Sequence, residues 1–186
     1  TQLSAYVNMV FPELLTFFKS GIHIAACYEL LKMCPSPAGI AALRIDKLSK
    51  LLSKASHGHF GRSSAEALKS LAKTSVGVKN PYISIQITQT IASIELLEQQ
   101  IEEIETLIED TMKELDSVIM TIPGIGAMDG AMILGEIGDI SRFASASKLL
   151  TYAGLDPTVC QSGNFRARST RMSKRGSKTL RFALIN

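Results

Sequence analysis

Tryptophan is absent from the 186 residues, cysteine occurs three times, and aromatic side chains make up 6% of the chain. Cys27, Cys34 and Cys160 are too few for a disulfide framework, and the nearest two lack the further Cys or His that a zinc knuckle needs. Reduced thiols in a cytoplasmic protein are the expectation. No stretch of about 18 uncharged apolar residues occurs, which excludes a membrane-spanning helix. The first residues, Thr1-Gln2-Leu3-Ser4, lack the basic and then apolar run of a secretory leader. The scarcest thing is acid at the far end: from Cys160 to Asn186 there is no Asp or Glu, against seven Lys and Arg.

What is present is ordinary in bulk, with 46% hydrophobic and 20% charged residues and a formal charge of +3. That charge is a cancellation. Residues 1–159 carry 13 basic and 17 acidic groups, whereas Arg166, Arg168, Arg171, Lys174, Arg175, Lys178 and Arg181 stand together without a counter-charge. So dense a run repels itself unless an anion sits among it, which points to nucleic acid. A solvated basic tail is the alternative, but Phe165, Met172, Leu180, Phe182, Leu184 and Ile185 supply more apolar surface than such a tail needs. The chain opens without Met and closes inside an apolar run, so it is read as part of a longer protein.

An all-α fold is expected, in three parts. Residues 1–82 read as short amphipathic helices with small or polar caps, including helices over 37–44, 45–56 and 63–73 and a capping box from Ser63 to Glu66. His57-Gly58-His59 has no third ligand nearby and reads as a glycine-flanked loop rather than a metal site. Residues 83–120 carry a heptad pattern. Ile87, Ile94, Ile101, Ile108 and Leu115 fall at a, and Thr90, Leu97, Ile104, Thr111 and Val118 at d, which predicts a coiled-coil helix of roughly 50 Å. Its outside is acidic, so its seam has to pack on a preceding helix folded back or on a second copy; a homo-oligomer is the expectation carried forward.

Residues 121–186 form the third part. Ile122-Pro123-Gly124-Ile125-Gly126, followed by Gly130 and Ile133-Leu134, is similar to the helix-hairpin-helix motif of DNA-handling proteins. The glycines permit a tight turn, and the free N–H groups opening the next helix offer a phosphate site that reads no bases. A plain helical turn is the competing account. Gly124 and Gly126 are therefore candidate nucleic-acid residues with Arg166, Arg168, Arg171, Lys174, Arg175 and Lys178, and none is a candidate metal ligand.

The ordered string Ile122 to Gly126, Gly135-Glu136-Ile137-Gly138-Asp139 to Phe143, Lys148 to Pro157, Gln161-Ser162-Gly163 and Ser173 to Ser177 with Leu180-Arg181 resembles the C-terminal domain of transposases of insertion-sequence family one-ten, also grouped as the 110/116/902 type. The resemblance covers about 65 residues, and residues 1–120 suit the helical region and coiled coil that precede that domain. It implies a serine nucleophile at Ser162, with Ser169, Ser173 and Ser177 as competitors. It also implies an N-terminal RuvC-like domain with DEDD carboxylates and a divalent metal such as magnesium, lying before residue 1, and DNA and a guide-type noncoding RNA as partners. The whole protein would be a transposase or recombinase, and this part alone would be inactive and hold no cofactor. Two other readings stay open: a non-catalytic helix-hairpin-helix module that dimerises and binds nucleic acid, and a structural coiled coil with a basic tail.

Overall fold

The computed structural model describes residues 1–158 and 171–185 in full and, of the segment between them, the backbone of 161–162 and 165–166. The chain forms two compact units, residues 1–99 and 100–186, and the division falls inside one long helix.

The first unit is built from α1 (Gln2–Val10), α2 (Glu13–Phe17), α3 (Ala25–Met33), α4 (Pro37–Ala42), α5 (Ile45–Ala55), α6 (Arg62–Lys73) and the start of α7 (Pro81–Leu115). Leu3, Val7 and Val10 recur on one face of α1 and are buried. Pro12 has no N–H to continue that helix, so the chain turns there and buries Phe11, Leu14 and Phe18 as well. Ser36 caps α4 by accepting from the Gly39 N–H, and Pro37 occupies the first turn, where a missing donor costs nothing. Leu48 and Leu52 of α5, and Ala65, Leu68 and Ala72 of α6, complete the same core. Full burial of a side chain such as Leu30 contributes roughly 2 kcal/mol. Cys27 lies in this core, and burial pushes its thiol up to about 12, which makes it inert. Neither Cys27 nor Cys34 is in a disulfide; Cys160 lies outside the described residues.

The expected capping box does not form. Helix α6 starts one residue early, on Gly61 without a side-chain cap, and Glu66 instead accepts from Arg62 Nε at 3.2 Å. Around His57-Gly58-His59 the chain makes a turn between α5 and α6, and the ring of His59 rests against Phe60 with centroids 4.8 Å apart.

A strap joins α6 to α7. Glu13 holds it, accepting from the Val76 N–H at 2.9 Å and the Ser75 hydroxyl at 2.7 Å, while the Val78 N–H donates to Met9 O at 2.8 Å. Partial burial alone would push the Glu13 carboxyl up, but these hydrogen bonds outweigh it and hold the group below its ordinary value. A carboxyl held low contributes stability above its unfolded pKa and loses it as pH falls through the folded one. Glu13→Gln should therefore lower the urea midpoint at neutral pH, and its difference from wild type should begin to shrink below about pH 4.3 and close as pH falls through the lower folded value; a gap that persists at pH 2.5 would show that charge is not what holds the strap.

Along α7 the heptad expectation meets two fates. Ile83, Ile87 and Ile91 are buried in the first unit's core, with Ile94 half-buried beside them. Ile91 sits at heptad position e, so the buried line drifts around the helix with the 3.6-residue period of a straight helix packing on its own domain. The preceding helices thus cover the first part of the seam. Further on, Leu97, Ile101, Ile104 and Leu115 are 57%, 54%, 56% and 58% exposed, so those seam positions are uncovered. The helix stops at Leu115, before the last expected seam position, because Asp116 takes a positive φ of 44° and Ser117 caps a new 3-10 turn, Val118–Thr121.

The second unit adds α8 (Ala127–Ile137), α9 (Ala146–Ala153), the two-residue strands β1 (Gln161–Ser162) and β2 (Phe165–Arg166), and α10 (Lys178–Ile185). Its core is small: Ile133, Ile137, Ala153, Leu180 and Ala183, ringed by Ile125, Phe143, Leu149, Tyr152 and Leu155 among others. The fold is helical, as expected, with one addition that the sequence reading did not contain, the paired backbone around β1 and β2.

Candidate nucleic-acid interface

Ile122 to Ile125 forms a type II turn. Pro123 presets its first corner, Gly124 takes φ 91° at the second, and the Ile125 N–H donates to Ile122 O at 3.1 Å. Ile125 packs inward on the core. Gly126 then opens α8 without a side-chain cap, and both glycines are exposed with open space around them. The N–H groups of the first turn therefore face outward unused by any side chain. Asp129, in that same turn, partly offsets the positive end of the helix. The arm before the turn is the 3-10 turn Val118–Thr121 rather than a regular helix, and Met112, Ile119 and Met120 lie beside Gly130 of α8.

After α9 the described segments on either side pair antiparallel as a ribbon. Gly154 ends α9 in the left-handed conformation, at φ 69°. The Thr158 N–H donates to Arg171 O at 2.7 Å, Ser173 N–H to Asp156 O at 2.8 Å, Lys174 N–H to Gly154 O at 3.0 Å, and Ser177 N–H to Tyr152 O at 2.8 Å. Beyond this base, β1 and β2 pair antiparallel, Gln161 opposite Arg166 and Ser162 opposite Phe165. Side-chain hydrogen bonds lock the ribbon. Ser173 donates to Asp156; Ser177 donates to Glu136 Oε2 at 2.8 Å and accepts from the Leu180 N–H at 3.1 Å, capping α10; Arg181 donates to Ala153 O at 3.0 Å. Arg142 stacks on the rings of Phe143 and Tyr152 at 5.0 and 5.1 Å. The hydroxyl and N–H of Ser141 hold the Asp139 carboxyl below its ordinary value.

Ser173 and Ser177 are thus committed to holding the fold. Arg171, Lys174, Arg175 and Lys178 are exposed on the ribbon and the first turn of α10, and none makes an ion pair among the described residues. Lys174 adopts φ 55°, a left-handed conformation unusual for lysine, within the tight bend that leads into Gly176. The side chains of Ser162 and Arg166, and all of Ser169 and Arg168, lie outside the described residues. The described residues hold no group of three or more His, Cys, Asp or Glu that could hold a metal ion. No helix is long and apolar enough to cross a membrane.

The second unit thus carries both an open turn before a helix and a ribbon whose cations make no ion pair among the described residues, and the comparisons show which proteins this segment is similar to. Residues 116–186 match the family model described as Transposase IS116/IS110/IS902 family. That segment of the chain is similar to this transposase family. It is similar to the IS117 mini-circle protein of Streptomyces coelicolor, 26% identical over 172 residues, which are 87% of this chain and 42% of that protein. It is 31% identical over 109 residues to the transposase for insertion sequence element IS1328 of Yersinia enterocolitica, covering 56% of this chain and 32% of that one. The pilin gene-inverting protein of Moraxella bovis shares 44% identity over 69 residues, 37% of this chain and 21% of that protein. The chain therefore spans less than half the length of these relatives. No solved structure matches it.

Proposed function

We propose that the chain is the DNA-binding and strand-exchange part of an insertion-sequence transposase. The observation that carries this is the exposed set Arg171, Lys174, Arg175 and Lys178, unpaired among the described residues and inside the segment that matches the family. Backbone phosphates satisfy such a set, and a phosphate at the open start of α8, against Gly124 and Gly126, adds a contact that ignores sequence. Base recognition then falls to a guide-type RNA that pairs with the DNA. The uncovered apolar line of α7, Leu97 to Leu115, takes the same helix of a second copy, which makes the working protein a dimer or higher homo-oligomer.

Ser162 is the nucleophile of this reading. Its Oγ forms a bond to phosphorus while one P–O ester bond of the strand breaks; its proton passes to a carboxylate of a RuvC-like domain elsewhere in the whole protein, and the expelled strand oxygen takes up a proton from water to leave as a free hydroxyl end. The cations of the ribbon stabilise the charge that develops on the phosphate oxygens. That partner domain brings the DEDD carboxylates and magnesium, so the present chain alone is inactive.

The experiment is a covalent adduct assay on the whole protein with labelled DNA and element RNA. Ser162→Ala should abolish the denaturation-resistant protein–DNA adduct, at least about 100-fold, while DNA affinity changes less than twofold. An adduct of undiminished yield would remove Ser162 from the chemistry and leave a binding module.

A further inference from the structure

The cancellation of charge in this chain is not only between its two ends. Residues 36–80 hold eight Lys and Arg, namely Arg44, Lys47, Lys50, Lys54, Arg62, Lys69, Lys73 and Lys79, against Asp46 and Glu66. Both acids are already spoken for. Asp46 pairs with Arg62 at 2.9 Å and Arg44 at 3.8 Å, and Glu66 pairs with Arg62 at 3.2 Å. Lys69 is turned aside to donate to Leu43 O.

What remains is ordered by the helix. Lys47, Lys50 and Lys54 recur at three and four along α5, which places them within a strip about 60° wide, on the side away from the buried Leu48 and Leu52. All three are exposed and none has an ion pair among the described residues. The strip is about 10 Å long, long enough to meet consecutive phosphates of one strand. Like charges so spaced on one helix face repel each other and are relieved by a polyanion. Since Asp46 ties α5 to α6 and Glu66 pairs within α6, both acids of this block are engaged with arginines, and the three lysines are left as a basic face.

We infer that the solvent face of α5, through Lys47, Lys50 and Lys54, is a second nucleic-acid contact, which grips the phosphodiester backbone without reading bases. It lies in the first unit, upstream of the family-matched segment, and does not use the ribbon cations. The inference rests on the reading of the chain as a nucleic-acid binder. Its ligand is the phosphodiester backbone as such, and the test separates its sources.

The whole chain is titrated by fluorescence anisotropy against a labelled 25-base-pair DNA duplex, the matching single strand and an RNA hairpin, from 50 to 200 mM salt. Lys47→Gln, Lys50→Gln and Lys54→Gln combined should flatten the log–log salt dependence by about 2.7 and remove about a 40-fold share of the salt sensitivity over that range. Whichever probe shows the larger change names the source. A control with the same loss of charge, Lys19→Gln, Lys113→Gln and Lys148→Gln, should stay within about twofold of wild type. A far-UV circular dichroism melt shows that both variants are folded. The same α5 change made with Arg171, Lys174, Arg175 and Lys178 already replaced by Ala should still flatten what binding remains. If the α5 variant matches the control while the ribbon variant loses affinity, the inference is overturned and the ribbon reading stands. If wild type binds none of the three probes at 50 mM salt, both fall.

Discussion

Gly176→Ala should unfold the second unit, or leave it unable to hold its ribbon. A Cβ at that position would stand 1.9 Å from Tyr152 O and 2.5 Å from Gly154 N, backbone on both sides, so no rotamer change relieves the clash. The chains at the ribbon base have to separate, and the Ser177 to Tyr152 and Lys174 to Gly154 hydrogen bonds go with them. A cost of about 4 kcal/mol is expected, in the range reserved for backbone strain and lost buried hydrogen bonds. A unit of this size has a stability of only about 4–13 kcal/mol, so the loss is a large fraction of the whole. Chemical denaturation read by circular dichroism measures it, and trypsin should cut the variant rapidly at Arg171, Lys174 and Arg175. Gly126→Ala is the contrast: with open space around it, that change should cost under about 1 kcal/mol. A Gly176→Ala protein as stable and as protease-resistant as wild type would mean that the two chains do not approach as described.

The second large effect is on binding. Replacing Arg171, Lys174, Arg175 and Lys178 together by Ala removes four cations that no ion pair among the described residues uses, so stability should change by less than about 1 kcal/mol. Affinity for a DNA duplex should fall steeply at low salt. Four phosphate contacts correspond to a slope of about 3.6 in log affinity against log salt, or about 150-fold between 50 and 200 mM. The variant should lose that share of the salt sensitivity, whatever the sequence of the DNA, because these contacts meet the backbone and not base edges. An unchanged slope would mean that the ribbon does not touch phosphate.

How much of this could be read in advance follows from how local each signal is. The helices α4, α5 and α6 lie within two residues of their sequence-derived ranges, because caps, prolines and a three-to-four apolar recurrence act over one or two turns. The turn at Pro123-Gly124 was equally legible, since a proline followed by a glycine presets both of its corners. The capping box failed at Ser63 because Arg62 offered Glu66 a charged partner one turn away, a competition that residue spacing does not register. The basic face of α5 was concealed by averaging: over residues 1–159 the acids of α7 outweigh it, and only helix phase and the pairing of Asp46 and Glu66 bring it out. The ribbon gave no warning at all. Its two sides have no alternation of apolar residues, and it is held by backbone hydrogen bonds between segments 13 to 25 residues apart, such as Thr158 with Arg171 and Tyr152 with Ser177.

The sequence by itself determined the helical class, the turn before α8, the charge asymmetry and the resemblance to a transposase family, because each of these is carried by neighbouring residues or by their order. Only the tertiary structure decided which part of the α7 seam is covered, which serines are committed to the fold, and which cations remain free to meet a ligand. Those answers depend on what lies opposite a side chain in space, and the same isoleucine, serine or lysine is core, cap or contact according to that neighbour alone.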